Sequence, residues 1–411
     1  MEFRRKSLPI DRQLRRGAAL SACLLGGWLL LIGCGSDGGT GSAAKDGFDR
    51  EDLSRLFSPV TEAERVAVLA DWASRDVAAL DVRVVLRDTV SVGIDTLEVR
   101  ILSHVVQGDL HYGAVVVPLG AATPRPVLAY THFSDVGITV ESTLFALGAI
   151  AGLRGNQFVL VLPSYRGKTL SYGSRSWTSE GTVSLWDGEV DDVLALIHAA
   201  WQLPGVADGD AATFGFSAGG AIALLTAIRE PGVVRVVDFF GPTNFFGPWA
   251  QDLLLRILDD QAPDQAPDLA SIPELQASVV DPFERGELSL ADMRLELLRR
   301  SALHFADRLP AVLAHHGLAD DVVAVGETQI LEAAVREAGG SMQAFYYESS
   351  GHSPFDLDGS LSRTAAFLGA LSPAARRVQP PAEMDSRSSW ALLASSEIGS
   401  QSAKGWPPPI Q

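Results

Sequence analysis

The sequence predicts an α/β protein, built on a mostly parallel sheet of about eight strands with helices on both faces. Short Val/Leu/Ile-rich runs recur along the 411-residue chain and alternate with stretches of helical periodicity. Most of these runs are continuously apolar rather than alternating, as strands covered on both faces are. Hydrophobic residues make up 47% of the chain and 39 positions are glycine, enough for a large core joined by tight turns.

Residues 1–33 are sequence of another kind. Arg4, Arg5, Lys6, Arg12, Arg15 and Arg16 precede an apolar stretch over residues 17–33, the pattern of a signal peptide. The stretch ends Leu31-Ile32-Gly33-Cys34, which resembles the bacterial lipobox, so Cys34 is the expected lipidation site and mature N-terminus. An uncleaved anchor is the alternative, although the run is short for spanning a bilayer. Either way the protein is expected to be exported and held at the bacterial cell envelope, and Gly35 after the cysteine points to the outer membrane or cell surface. Cys23 and Cys34 are the only cysteines, which leaves no intramolecular disulfide for an exported domain. The net charge of −17 becomes more negative once the leader is removed, since that segment carries six basic and two acidic residues. So acidic a surface excludes nucleic acid as a partner and leaves the N-terminal lipid as the membrane contact.

Residues 34–47, rich in glycine and serine, read as a flexible tether. Residues 48–371 form the expected folded domain. Residues 50–80 carry helical periodicity, with Thr61 and Glu64 spaced as a capping box. Strands are predicted at 82–86, 97–106, 112–117 and 127–131, the first of them antiparallel because their connections are short. Further strands at 158–162, 213–216, 234–240, 311–315 and 342–347 alternate with helices that suit parallel crossovers. Residues 243–308 show little strand character and are expected to form a helical insertion or lid. Residues 372–411, rich in Pro, Ser and Ala, are expected to be a poorly ordered tail.

Three segments carry chemistry. Thr213-Phe214-Gly215-Phe216-Ser217-Ala218-Gly219-Gly220 sets a G-x-S-x-G between an apolar strand and the helix beginning at Ala221. This is the setting of a nucleophile elbow: the turn is so sharp that positions two before and two after the serine must lack bulk. A serine hydroxyl needs a base, itself oriented by an acid, and in this architecture the chain order is serine, carboxylate, histidine. Residues 311–323 supply a buried strand and a turn holding Asp320 and Asp321. Glu348-Ser349-Ser350-Gly351-His352 then puts a histidine just past the last strand, at the edge where ligands bind α/β sheets.

At these residues the sequence resembles the α/β-hydrolase superfamily, more narrowly its prolyl-oligopeptidase-like and dienelactone-hydrolase-like branch. The resemblance rests on Ser164-Tyr165-Arg166-Gly167 with Tyr172-Gly173, Trp177 and Gly181, on the serine elbow, on the approach at 300–310, and on the Gly317-x-x-Asp320-x-x-Val323 turn; it spans roughly residues 110–370. It implies Ser217 as nucleophile, Asp320 rather than Asp321 as acid, and His352 as base. The backbone N–H of Ala218 is the first expected oxyanion donor. The second is expected at Phe133, or at Ser134 one register later, because Tyr130-Thr131-His132-Phe133-Ser134 stands where the family has a histidine-glycine pair and lacks that glycine.

The expected activity is hydrolysis of a small carboxylic ester through an acyl-enzyme. A prolyl-oligopeptidase-type serine peptidase acting on short peptides, and a catalytically silent surface lipoprotein on the same fold, are the alternatives. No cofactor is expected, as neither a Walker loop nor a dinucleotide fingerprint occurs. No metal is expected either: Glu180, Asp187, Glu189, Asp191 and Asp192 read as a solvated helix face. Trp177 and Trp186 read as packing, His315 and His316 as structural or hydrogen-bonding, and Asp356 and Asp358 as surface residues.

Overall fold

The computed structural model describes residues 50–133, 137–150, 157–258 and 272–371. The signal peptide, Cys34, the tether, Ser134 and the C-terminal tail therefore lie outside the described residues.

Twelve strands are described: β1 (Leu80–Val92), β2 (Asp95–Val106), β3 (Asp109–Pro118), β4 (Arg125–Thr131), β5 (Gly137–Thr139), β6 (Val159–Ser164), β7 (Thr169–Tyr172), β8 (Arg175–Thr178), β9 (Val206–Phe216), β10 (Val233–Phe239), β11 (Ala311–Gly317) and β12 (Met342–Tyr347). Nine of them make one sheet in the order β1-β2-β3-β6-β4-β9-β10-β11-β12. The first three steps are antiparallel and the remainder parallel. The predicted strands are all present, with one more in the sheet than the expected eight. A second sheet, β5-β7-β8, was not anticipated.

The helices are α1 (Arg50–Leu56), α2 (Glu62–Ser74), α3 (Val140–Ile150), α4 (Gly188–Trp201), α5 (Ala218–Arg229), α6 (Pro248–Leu258), α7 (Ile272–Leu275), α8 (Asp281–Glu284), α9 (Leu290–Arg299), α10 (Gly326–Glu337) and α11 (Ser360–Gly369). Alternate residues of one strand feed two cores. Val115, Val117, Val127 and Ala129 face α4, α5 and α10, whereas Ala114, Val116, Leu128 and Tyr130 face α3 and α11. This period of two is the pleat itself, and covering both faces is why β6 is buried at every position. Truncating a core side chain such as Leu224 to alanine would cost about 2–5 kcal/mol.

The Thr61 capping box forms as the spacing requires: the Thr61 hydroxyl accepts from the Glu64 N–H, and the Glu64 carboxylate accepts from the Thr61 N–H. Glu64 also receives Arg294 of α9 at 2.6 Å, and Arg294 donates to the Arg55 and Ser58 carbonyls. The helices between β10 and β11 thus brace the N-terminal pair α1 and α2, while α7 turns toward the cavity described below. Residues 259–271 of that segment lie outside the described residues.

The acidic face of α4 requires a correction. Glu180 is exposed, but Glu189, Asp191 and Asp192 are buried. Asp192 takes Arg166 at 2.7 Å, Asp191 takes Arg75 and Arg229, and Asp187 takes Arg75 at 2.9 Å. Glu189 accepts from the N–H and hydroxyl of Ser184. Carboxylates in the first turn of a helix suit its dipole, and burial is tolerated because each charge meets a partner.

Candidate active site

The serine sits where β9 turns into α5. Ser217 has φ 52° and ψ −123°, a left-handed conformation worth about 1–3 kcal/mol of strain in a non-glycine residue. Its N–H donates to the Phe239 carbonyl at 2.9 Å, which pins the elbow to the neighbouring strand. The flanking glycines are sterically required: a Cβ on Gly215 would lie 2.2 Å from the Gly219 carbonyl oxygen, and one on Gly219 would lie 2.0 Å from that of Thr131. The Thr131 hydroxyl donates to the Gly219 carbonyl at 2.7 Å, clamping the end of β4 to the first turn of α5.

The other two residues come from the ends of β11 and β12. His352 Nε2 lies 3.0 Å from Ser217 Oγ, and its Nδ1 lies 2.8 Å from Asp320 Oδ2. Since the carboxylate only accepts, Nδ1 carries the hydrogen and Nε2 is free to accept from the serine. The remaining oxygen of Asp320 accepts from the N–H groups of Val322 and Val323, both at 2.9 Å. Burial by itself would raise the Asp320 carboxyl. Hydrogen bonds from His316 and His352, the charge of His352 and the Val323 N–H outweigh that and hold it well below the usual carboxylate range. The His352 ring packs on Phe240, centroids 4.3 Å apart. Asp321 is exposed. Gly317 lets the two arms meet, because a Cβ there would lie 2.2 Å from the Ser350 carbonyl oxygen and 2.6 Å from that of Gly351.

Neither a family model nor a curated relative matches the sequence. Among solved structures, this one is similar to acetyl xylan esterase 1 from a Thermoanaerobacterium species, with TM-score 0.53 and 17% identity over 79% of this chain and 99% of that one. The chain has the α/β-hydrolase fold. An acetyl xylan esterase from a Paenibacillus species (TM-score 0.48, 15% identity, 78% and 100% covered) and the S-formylglutathione hydrolase of Agrobacterium tumefaciens (0.45, 16%, 70% and 99%) are also similar.

In an α/β-hydrolase fold the oxyanion donors belong at the elbow and at the end of the strand beside it. Ala218 is the first residue of α5. The His132 carbonyl carbon, to which the Phe133 nitrogen is bonded, lies 3.2 Å from the Cβ position of Gly219, so the Phe133 peptide borders the same turn. Next to it a cavity of about 40 Å3 is lined by Phe133, Val183, Leu185, Trp186, Lys168 and Glu274, among others. Trp186 packs in the first core and borders this cavity, and Trp177 packs against the second core. Lys168 and Glu274 stand 3.6 Å apart. None of Ser217, Asp320 and His352 lines this cavity.

His316 is, as expected at the end of this strand, a structural and hydrogen-bonded histidine. It is wholly buried, and its Nε2 lies 3.3 Å from Asp320 Oδ2. His315 likewise has the structural place expected of it, with Nδ1 on the Tyr347 hydroxyl at 2.7 Å. Asp356 and Asp358 are exposed. Among the described residues no group of three or more His, Cys, Asp or Glu could hold a metal ion.

Proposed function

We propose that the protein is a serine hydrolase that cleaves a small carboxylic ester. The observation that carries the reading is the unbroken chain of hydrogen bonds from Ser217 through His352 to Asp320. Ser217 Oγ attacks the ester carbonyl carbon while its proton passes to His352 Nε2, and the N–H groups of Ala218 and Phe133 face the oxygen that becomes negative. The tetrahedral adduct then collapses: the carbon–oxygen bond to the alcohol breaks, and His352 returns the proton to the departing alkoxide. Water, deprotonated by His352, attacks the acyl carbon; the bond to Ser217 Oγ breaks, His352 returns the proton to that oxygen, and the acid leaves. Asp320 holds the imidazole in the required tautomer throughout.

A small acyl group is favoured by the similarity to a protein named as an acetyl xylan esterase. Turnover of nitrophenyl acetate should exceed that of proline-type peptide amides, and both should vanish in Ser217→Ala. Preference for the amides would replace the esterase reading with the peptidase one. Attachment to the bacterial envelope by a lipid on Cys34 belongs to the same proposal, and mass spectrometry of the mature N-terminus tests it: an unmodified Cys34 would overturn it.

A further inference from the structure

The acid of the triad has a second histidine that the reaction scheme leaves unused. His316 Nε2 is 2.9 Å from the Val323 carbonyl and 3.3 Å from Asp320 Oδ2. Both of those oxygens only accept, so Nε2 carries a hydrogen; it donates to the Val323 carbonyl, and Oδ2 of the acid stands beside that N–H as a longer contact. On the other side of the ring, Nδ1 lies 2.7 Å from the Thr328 hydroxyl of α10, which fixes the ring against rotation. Asp320 Oδ2 is the same oxygen that accepts from His352 at 2.8 Å. One carboxylate oxygen therefore stands between two imidazoles, and only one of them reaches the serine.

The surroundings make His316 a hub for negative charge. Asp320 approaches from its own turn, Asp238 from the end of β10 and Glu327 from α10, and His316 lowers the carboxyl of each. Burial raises both Asp238, to about 6, and Glu327, while His316 opposes each rise. On β12 the residue paired in register is Tyr346, whose hydroxyl donates to Glu332. Phe240 closes the remaining side, its ring 6.3 Å away edge-on.

We propose that His316 is a positioning residue for Asp320: by holding its Nε2–H beside Oδ2 it restricts the carboxylate's rotation and tempers its pull on His352. This rests on the Ser217–His352–Asp320 reading above. Sharing Oδ2 weakens the stabilisation of protonated His352, so the base stays neutral, and the enzyme active, to lower pH. A histidine present only for packing would have no such effect.

The test compares His316→Leu, which has no donor, with His316→Gln, whose amide N–H can reach the same oxygen, and with Thr328→Val, which frees the ring. Nitrophenyl acetate hydrolysis is followed against pH, alongside thermal melting and fluorophosphonate labelling. His316→Leu should lower kcat about 10–100-fold, the effect typical of groups that orient a site's own ligands. Its KM should move by less than about twofold, and the acid limb of kcat/KM should shift to higher pH. His316→Gln should recover most of both losses, and Thr328→Val should fall between. If Leu and Gln variants of wild-type melting temperature lose activity equally, or the acid limb stays in place, the proposal is overturned. Should His316→Leu fail to fold, the other two variants decide: Thr328→Val and His316→Gln with identical pH profiles and an unshifted acid limb would overturn it. Wild-type protein unlabelled at Ser217 would instead sink the triad reading itself.

Discussion

Substituting Gly317 by alanine perturbs the site through sterics alone. The residue has no left-handed φ, so an alanine is conformationally allowed there; the obstacle is the Ser350 carbonyl oxygen 2.2 Å from the new Cβ, with that of Gly351 at 2.6 Å. Real Cβ contacts essentially never fall below 3.0 Å, so the backbone one to two residues before His352 must retreat by about 0.8 Å. The Ala319 N–H bond to Ser350 at 2.9 Å would lengthen as well. Overpacking of this kind costs about 1–3 kcal/mol of stability. For activity the displacement matters more, because a shift of about 1 Å in a positioned group can cost about 100-fold. The assay is kcat for nitrophenyl acetate on folded variant, with Gly326→Ala as control, since a Cβ at Gly326 meets open space. A folded Gly317→Ala with wild-type kcat would refute the steric argument and the dependence of His352 on this loop.

The two candidate acids separate cleanly by mutation. Asp320→Asn should lower kcat about 10³–10⁴-fold, because an amide cannot hold His352 in the required tautomer, while exposed Asp321→Asn should stay near wild type; equal losses would contradict the assignment. Acid stability offers an independent check. His104 faces His111 across β2 and β3, and burial, with the charge of His111 adding to it, pushes its imidazole down to about 4. The unfolded chain, with an ordinary histidine near 6.5, then binds the extra proton between those two values. Stability is full above about pH 6.5 and falls as the pH drops, by about 2 kcal/mol at pH 5 from this residue. Urea unfolding at pH 7.5 and 5.0 should show His104→Leu losing about that much less than wild type on acidification, and equal losses would count against the buried neutral histidine.

How much of this was legible in the sequence follows from where the causes lie. The central strands could be read because burial on both faces writes a continuous apolar run, as in residues 159–162. The elbow could be read because its glycines answer a local steric demand, and the Thr61 cap because its two partners are three residues apart. The small sheet escaped because β7 and β8 are four residues each and pair mainly with each other, leaving no periodic run long enough to recognise. The buried carboxylates of α4 escaped for a different reason. Their arginines stand 116 residues away in Arg75 and 38 in Arg229, so local sequence shows only an acidic helix face. His316 was visible beside the acid, yet its role depends on the ring orientation fixed by Thr328, which sequence does not carry. Where Tyr130 to Phe133 depart from the family pattern, the Thr131 hydroxyl still bonds the Gly219 carbonyl, and the Phe133 peptide borders that turn.

The central claim is that Ser217 is a nucleophile activated by His352. Treating the folded protein with a fluorophosphonate probe and mapping the adduct by peptide mass spectrometry tests it most directly. The account predicts stoichiometric labelling of wild type at Ser217, none in Ser217→Ala, and labelling slowed by orders of magnitude in His352→Ala. Folded wild-type protein that stays unlabelled, or is labelled at another serine, would contradict it.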